Sequence, residues 1–63
     1  MPSAFRQMMR DDRERLDLSV ARTSWLVGVS VGRYRELEDG EEYPSHREWS
    51  RMVVVFEWPR SFA

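Results

Sequence analysis

The chain has 63 residues and no cysteine, which excludes a disulfide framework and a cysteine-rich zinc site. Its formal net charge of −1, with ten arginines and no lysine, excludes a global field that would attract it to nucleic acid or to an anionic membrane. The longest apolar run, Met52 to Phe56, is far shorter than the roughly 20 residues of a membrane-spanning helix, and no signal-peptide pattern is present. We therefore expect one small cytoplasmic domain, residues 1–63.

Capping signals and apolar spacing divide the chain into four predicted helices, which cover residues 4–17, 19–27, 30–38 and 45–57. In the first helix, Ser3 is a candidate N-cap, and Asp12 lies where the apolar stripe would have an apolar residue. The four arginines of this helix are balanced by four carboxylates, a pattern typical of a solvated, ion-paired face. The apolar residues are spaced approximately as one helix face: Phe5, Met9 and Leu16.

Serine and glycine residues mark the ends of the second and third helices. Ser19 and Ser30 are plausible N-caps, because a serine side chain accepts a hydrogen bond from the first turn of a helix. Gly28 is a natural stop for the second helix, and Gly40 follows the third. The connection from Gly28 to Ser30 is so short that the two helices must cross steeply, as in a helix-turn-helix.

The fourth helix begins with a capping-box sequence, in which Ser45 and Glu48 satisfy each other's backbone amides. The run from Val53 to Val55 is also compatible with a strand, but the capping box favours a helix. Pro59 ends the segment and leaves a short tail. One face of this helix is apolar at spacings of three and four residues: Trp49, Met52, Val53 and Phe56.

Several short motifs fall at fixed intervals between residues 13 and 56. They are Leu18-Ser19, Gly28-Val29-Ser30, Tyr34, Leu37-Glu38, Gly40, Pro44-Ser45, Trp49 and Met52. In this register the chain resembles the Xre family of Cro and phage-repressor-type proteins, and in particular its small actinobacterial members. The resemblance implies an all-α, lambda-repressor-like helix-turn-helix bundle of four short helices plus a short C-terminal tail. It also implies a sequence-specific DNA-binding transcriptional regulator in the bacterial cytoplasm, associated with the nucleoid when bound.

The resemblance further implies that the first turns of the third helix enter the major groove of double-stranded DNA. Arg33 and Arg35 would contact bases or adjacent phosphates, since a guanidinium pairs bidentately with guanine. Arg22 and Ser30 would contact the DNA backbone, and Gly32 would permit close approach. The inner face of this pair of helices is expected to be core: Ser24, Val27, Val29, Tyr34 and Leu37. The expected DNA-binding residues are Arg22, Ser30, Val31, Gly32, Arg33, Arg35 and Glu36.

Two features differ from the family pattern and predict weak binding. Val20 occupies a position where many members have a glutamine that contacts phosphate. The loop from Asp39 to Tyr43 carries three carboxylates and no cation, which would face the phosphates. Residues 19–38 carry three arginines against two glutamates, so binding should be modest, strongly salt dependent and dependent on a homodimer or a protein partner.

An apolar stripe off the core face of the fourth helix provides a candidate partner interface: Val54, Val55, Trp58 and Phe62. Either the C-terminal tail folds back over this stripe, or the stripe forms a dimer seam. Trp25 and Leu26 form a second candidate patch, unless they pack against the first helix or the tail. With the acidic loop, these surfaces support an alternative function, a helix-turn-helix scaffold for protein interaction, such as an antitoxin-like adaptor.

The sequence offers no constellation for catalysis. His46 and Ser45 are neighbours at a helix start, where they cannot form a nucleophile and base with an orienting acid. Glu41 and Glu42 are adjacent in a loop, and no glycine-rich phosphate loop or metal-ligand spacing is present. We therefore expect no enzyme activity, no catalytic or metal-binding residues, no cofactor, no small-molecule substrate and no membrane partner.

Overall fold

The computed structural model describes residues 4–40 and 42–62. It contains four α-helices and one turn of 3₁₀ helix, and no strand occurs in these two ranges. The helices are α1 (Ala4–Arg15), α2 (Val20–Val27), α3 (Val31–Glu38) and α4 (His46–Val55), followed by the 3₁₀ turn (Arg60–Phe62). The all-α prediction is confirmed, and the alternative of a strand near Val54 is wrong. None of the described helices is long and apolar enough to cross a bilayer.

Three of the helices begin at the serines that the sequence predicts as N-caps. The hydroxyl oxygen of each serine accepts a hydrogen bond from the third residue beyond it, over 2.9 Å for Ser19, 3.0 Å for Ser30 and 3.1 Å for Ser45. The backbone amide of Ser45 in turn donates to the Glu48 carboxylate over 2.8 Å, which completes the capping box. The proposed cap at Ser3 lies outside the described residues.

Three helices also end in the same way, with a residue in the left-handed region. Gly28 has φ 86°, Asp17 has φ 56° and Glu57 has φ 60°. Glycine adopts this conformation freely, whereas the other two residues carry its steric cost. Because these stops were not expected at non-glycine positions, α1 and α4 each end two residues before the predicted bound. The following amides donate to carbonyls five residues earlier, as in a Schellman motif: Leu18 to Arg13, Val29 to Ser24 and Trp58 to Val53.

The core lies where α2 and α3 pack against each other, α4 packs against α2, and α1 packs against α3. The inner-face prediction is confirmed for Ser24, Val27, Tyr34 and Leu37, which are buried, whereas Val29 is half-buried against the core. The apolar side chains that form the buried core are Met9, Val27, Tyr34, Leu37, Met52, Val53, Phe56 and Trp58.

Trp58 corrects one prediction, because it belongs to the core and not to an exposed seam. Its side chain is only 7% exposed, its indole N–H donates to the Asp12 carboxylate, and its ring centroid is 5.0 Å from that of Phe56. The indole of Trp49 donates to the carbonyl of Phe62 over 2.6 Å. The C-terminal tail therefore folds back over this part of the chain, and Asp12 occupies the apolar stripe of α1 as the acceptor for Trp58.

The arginines of α1 correct a second prediction, since they are not all on a solvated face. Arg6 is buried and donates to the carbonyls of Leu37 and Glu42, each over 3.2 Å. Arg13 contacts both oxygens of the buried Glu38 carboxylate, at 3.0 Å and 2.9 Å. The α1 side chains thus neutralise a buried charge and bind the carbonyl of Leu37, in the last turn of α3, and that of Glu42 in the following loop.

Burial and hydrogen bonding act in opposite directions on Glu38. Burial raises the pKa of this carboxyl, but the hydrogen bonds and charge of Arg13, with those of Arg10, outweigh burial and hold the pKa below its usual range. The nearby Tyr34 hydroxyl is buried and has no hydrogen-bond partner among the described residues. Burial raises the pKa of this hydroxyl. Glu38 therefore remains a carboxylate within the protein.

Candidate functional site

The outward face of α3 is the main surface that the fold leaves uncovered near the α2–α3 connection. Val31 is 40% exposed, and Gly32, Arg35 and Glu36 are exposed as well. Tyr34 is buried on the opposite face of the same helix. The outward face combines one apolar side chain, one position without a side chain and two opposite charges, so it can make apolar and hydrogen-bonded contacts along a groove.

Arg33, which was predicted to contact DNA, is bonded within the protein. Its Nε and Nη2 atoms donate to the Glu48 carboxylate over 3.0 Å and 2.9 Å. Nη2 also donates to the carbonyl of Tyr43 over 3.1 Å, and Nη1 lies 3.6 Å from the Glu36 carboxylate. The three guanidinium nitrogens are therefore engaged, and Arg33 ties the first turn of α3 to the first turn of α4.

The same contacts perturb Glu48. The hydrogen bond from Arg33 and, to a smaller extent, the amide of Ser45 outweigh partial burial and lower the pKa of this carboxyl to about 2. Sequence reasoning identified Glu48 only as a capping residue. The observed geometry gives it a second role, because it also fixes the orientation of α3.

Arg35 differs from Arg33 in having an exposed guanidinium with no ion pair to any residue in the described ranges. Ser30 is exposed, and its hydroxyl oxygen already caps α3. The structure therefore separates the predicted pair of arginines: Arg35 is available to a ligand, and Arg33 is held by Glu48.

Arg22 lies on the exposed side of α2 beside an aromatic ring. Its guanidinium carbon is 4.6 Å from the ring centroid of Trp25, within the range of a cation–π contact. Trp25 is 67% exposed, so the alternative that it packs against α1 or the tail is wrong. Leu26, its neighbour in the predicted patch, is half-buried.

Two further arginines near α3 were missed by sequence reasoning. Arg47 and Arg51 line a groove whose opposite wall is the connection between α2 and α3, at Val27, Gly28 and Val29. Both are exposed and form no ion pair among the residues described. Arg47 and Arg51 are four residues apart, so they lie on one face of α4, which is not the face with Met52 and Val53. This spacing is the signal that could have identified them.

The acidic loop is less negative than its sequence indicates. Asp39 forms an exposed ion pair with Arg10, whose positive charge partly offsets this carboxylate. Glu42 is exposed, and Glu41 lies outside the described residues. The loop therefore presents less charge to a ligand than a simple count predicts.

The predicted partner stripe is divided by the fold. Val54 is exposed, Phe62 is partly exposed, Val55 is half-buried against the core, and Trp58 is buried. What remains of the stripe is thus centred on Val54.

The described ranges contain no group of three or more histidine or acidic side chains placed to hold a metal ion. Comparison with known proteins adds no relative, because no protein-family model, curated protein or solved structure matches the chain. The functional assignment therefore depends on the residues and distances of this chain alone.

Proposed function

We propose that the chain is a sequence-specific DNA-binding transcriptional regulator with a lambda-repressor-like helix-turn-helix fold. The observation that carries the proposal is the exposed outward face of α3, which follows α2 after the short connection from Gly28 to Ser30. A helix joined to its neighbour in this way is the element that enters the major groove. At eight residues, α3 is about 12 Å long, which is close to the width of that groove.

Arg35 is the residue that we assign to base readout, because its guanidinium has no competing ion pair among the described residues and arginine pairs bidentately with guanine. Val31 can contact a thymine methyl group, and Gly32 permits close approach of the helix start. Arg33 acts as a positioning residue, since its bonds to Glu48 hold α3 in a fixed orientation.

The phosphate contacts fall to exposed arginines on the neighbouring helices. Arg22 on α2 and Arg47 and Arg51 on α4 could each neutralise one phosphate. These three contacts would release about three counterions per copy, so the logarithm of the binding constant should fall with a slope of roughly −3 against the logarithm of salt concentration. Such binding is modest, so a functional complex requires two copies on half-sites about 34 Å apart.

The test is selection of bound sequences from a pool of random duplexes, followed by fluorescence-anisotropy titration at about 50 and 150 mM salt. We expect a recovered motif, which Arg35→Ala abolishes. Arg35→Lys is the matched control, because it retains charge and phosphate affinity but loses bidentate readout. Arg47→Ala should lower affinity at every sequence and leave the motif unchanged. Failure to recover a motif, with equal binding by wild type and Arg35→Ala, would refute the proposal.

A second candidate, the protein-interaction or antitoxin-like adaptor, is favoured by Trp25. This exposed ring beside Arg22 combines two residue types that dominate binding energy in protein interfaces. The adaptor function predicts weak duplex binding that yields no motif and is lost at about 150 mM salt. It also predicts that Trp25→Ala releases a co-purifying partner protein, whereas Arg35→Ala does not.

A further inference from the structure

The groove between the start of α4 and the connection from α2 to α3 is large enough for a small molecule. Its volume is about 380 Å³, which lies within the range of about 300–1,000 Å³ that is typical of small-molecule sites. Arg47 and Arg51 form one wall, and Val27, Gly28 and Val29 form the opposite wall. The DNA proposal uses the two arginines, but it uses neither the volume between the walls nor the second wall.

The groove carries two positive charges that no carboxylate of the described residues compensates. Arg47 and Arg51 are exposed, and neither forms an ion pair within the described ranges. Glu48 also lines the groove, but its carboxylate already accepts hydrogen bonds from Arg33 over 3.0 Å and 2.9 Å. The hydroxyl oxygen of Ser45 accepts from the Glu48 amide, so the hydroxyl proton is left to donate to a ligand. The groove is therefore complementary to an anion.

The spacing of the two arginines favours an anion with two neighbouring charged groups. Side chains four positions apart on a helix project from the same face, with Cβ atoms about 5–6 Å apart. Each guanidinium can bind one phosphate through two parallel N–H···O bonds. Arg47 and Arg51 therefore match a diphosphate better than they match a single carboxylate.

The opposite wall is open to a flat organic group. No atom lies within 4 Å of the position that a Cβ would take at Gly28, so a ligand can approach its peptide plane. Val29 beside it is half-buried, and a ring that covers this surface removes apolar area from water. We propose that the groove binds a nucleoside diphosphate, with the diphosphate on Arg47 and Arg51 and the base against the connection at Gly28.

The nucleotide site goes beyond the DNA proposal and does not depend on it. A bound nucleotide would occupy the two arginines of α4 that the DNA proposal assigns to phosphates of the duplex, so nucleotide and duplex would compete for them. The test of the nucleotide site contains no duplex. Its failure would therefore leave the assignment of Arg35 to base readout untouched, and the reverse also holds.

The test is a titration of the full chain with ADP, in the absence of divalent cations, followed by heteronuclear NMR. We expect saturable shifts of the backbone amides of Gly28 and Val29 and of the side-chain Nε–H groups of Arg47 and Arg51. Pyrophosphate should bind at the same arginines with a Kd about tenfold higher, because it lacks the ring that covers the second wall. Adenosine, which lacks the diphosphate, should cause no saturable shift.

Arg47→Ala and Arg51→Ala should each raise the Kd for ADP by about tenfold, because each removes a charge-assisted contact with the diphosphate. Arg60→Ala is the matched control, since it removes an exposed arginine outside the groove and should leave the Kd unchanged. Circular dichroism verifies that each variant is folded. The proposal is overturned by the absence of saturable binding, by an equal Kd for ADP and pyrophosphate, or by equal effects of Arg47→Ala and Arg60→Ala.

Discussion

Removal of the Arg13 side chain should destabilise the protein more than any other exposed or half-exposed arginine substitution. Arg13→Ala deletes the bonds to both oxygens of Glu38, whose side chain is only 3% exposed. It also deletes the bond from Nη1 to the carbonyl of Leu18, at 3.0 Å. The variant leaves a carboxylate buried with one remaining partner, Arg10, whose Nε lies 3.4 Å from Oε1.

The expected loss in the free energy of unfolding follows from the burial of the Glu38 charge. Breaking a buried ion pair by removing one partner costs about 3–5 kcal/mol, and the remaining contact with Arg10 places the expected value near the lower figure, about 3 kcal/mol. Chains of this length have a total stability of about 3–9 kcal/mol. The loss of Arg13 should therefore remove at least roughly a third of the total stability of the protein.

The assay is urea unfolding followed by circular dichroism and tryptophan fluorescence. Arg15→Ala is the comparison variant, because it deletes a partly exposed ion pair with Asp12, worth about 1 kcal/mol or less, and one hydrogen bond to the carbonyl of Phe56, worth about 1 kcal/mol. Replacing Arg13 and Glu38 together by apolar residues of similar volume should recover most of the lost stability. Equal destabilisation by Arg13→Ala and Arg15→Ala would refute the argument that the Glu38 charge is buried and paired.

Three further predictions concern individual contacts. Since Arg33 lowers the pKa of Glu48 to about 2, the stability that this carboxylate contributes should be present above its ordinary pKa and lost as the pH falls toward 2; Glu48→Gln should reduce this acid dependence in thermal melts. Glu57→Gly should raise the free energy of unfolding by about 0.5–1 kcal/mol, because glycine removes the left-handed strain at some entropic cost; a decrease would contradict it. Trp58→Phe should cost about 2 kcal/mol in chemical denaturation, because it deletes the indole bond to the Asp12 carboxylate, and an unchanged midpoint would show that this bond is not stabilising.

The features that the sequence predicted correctly are local ones. Ser19, Ser30 and Ser45 cap helices through atoms only three residues away, so their role can be read from a short window. The core positions at Tyr34 and Leu37 were expected from the inner face of a helix-turn-helix, and they lie three residues apart on one side of α3. The all-α architecture was accessible for the same reason.

The features that could not be predicted from the sequence depend on where helices end and on contacts between side chains that are far apart in the chain. Trp58 was placed on a helical face, but α4 ends at Val55 and Glu57 turns the backbone, so the helical register no longer applies at position 58. The ion pair of Arg33 with Glu48, over 2.9 Å, was not predicted, because the two residues lie 15 positions apart in the chain. Long side chains can select partners only after the helices have packed.

The bonds from Arg6 to the carbonyls of Leu37 and Glu42 also limit how the chain can be divided. The motifs that resemble a helix-turn-helix begin at Leu18, so an excised peptide of residues 18–40 would contain every side chain of the outward face of α3. That peptide would nevertheless lack the arginines of α1, and it would leave the Glu38 carboxylate unpaired and the carbonyl of Leu37 without its donor. The α2–α3 pair is therefore not a portable module, and grafting it onto another scaffold would require a substitute for α1.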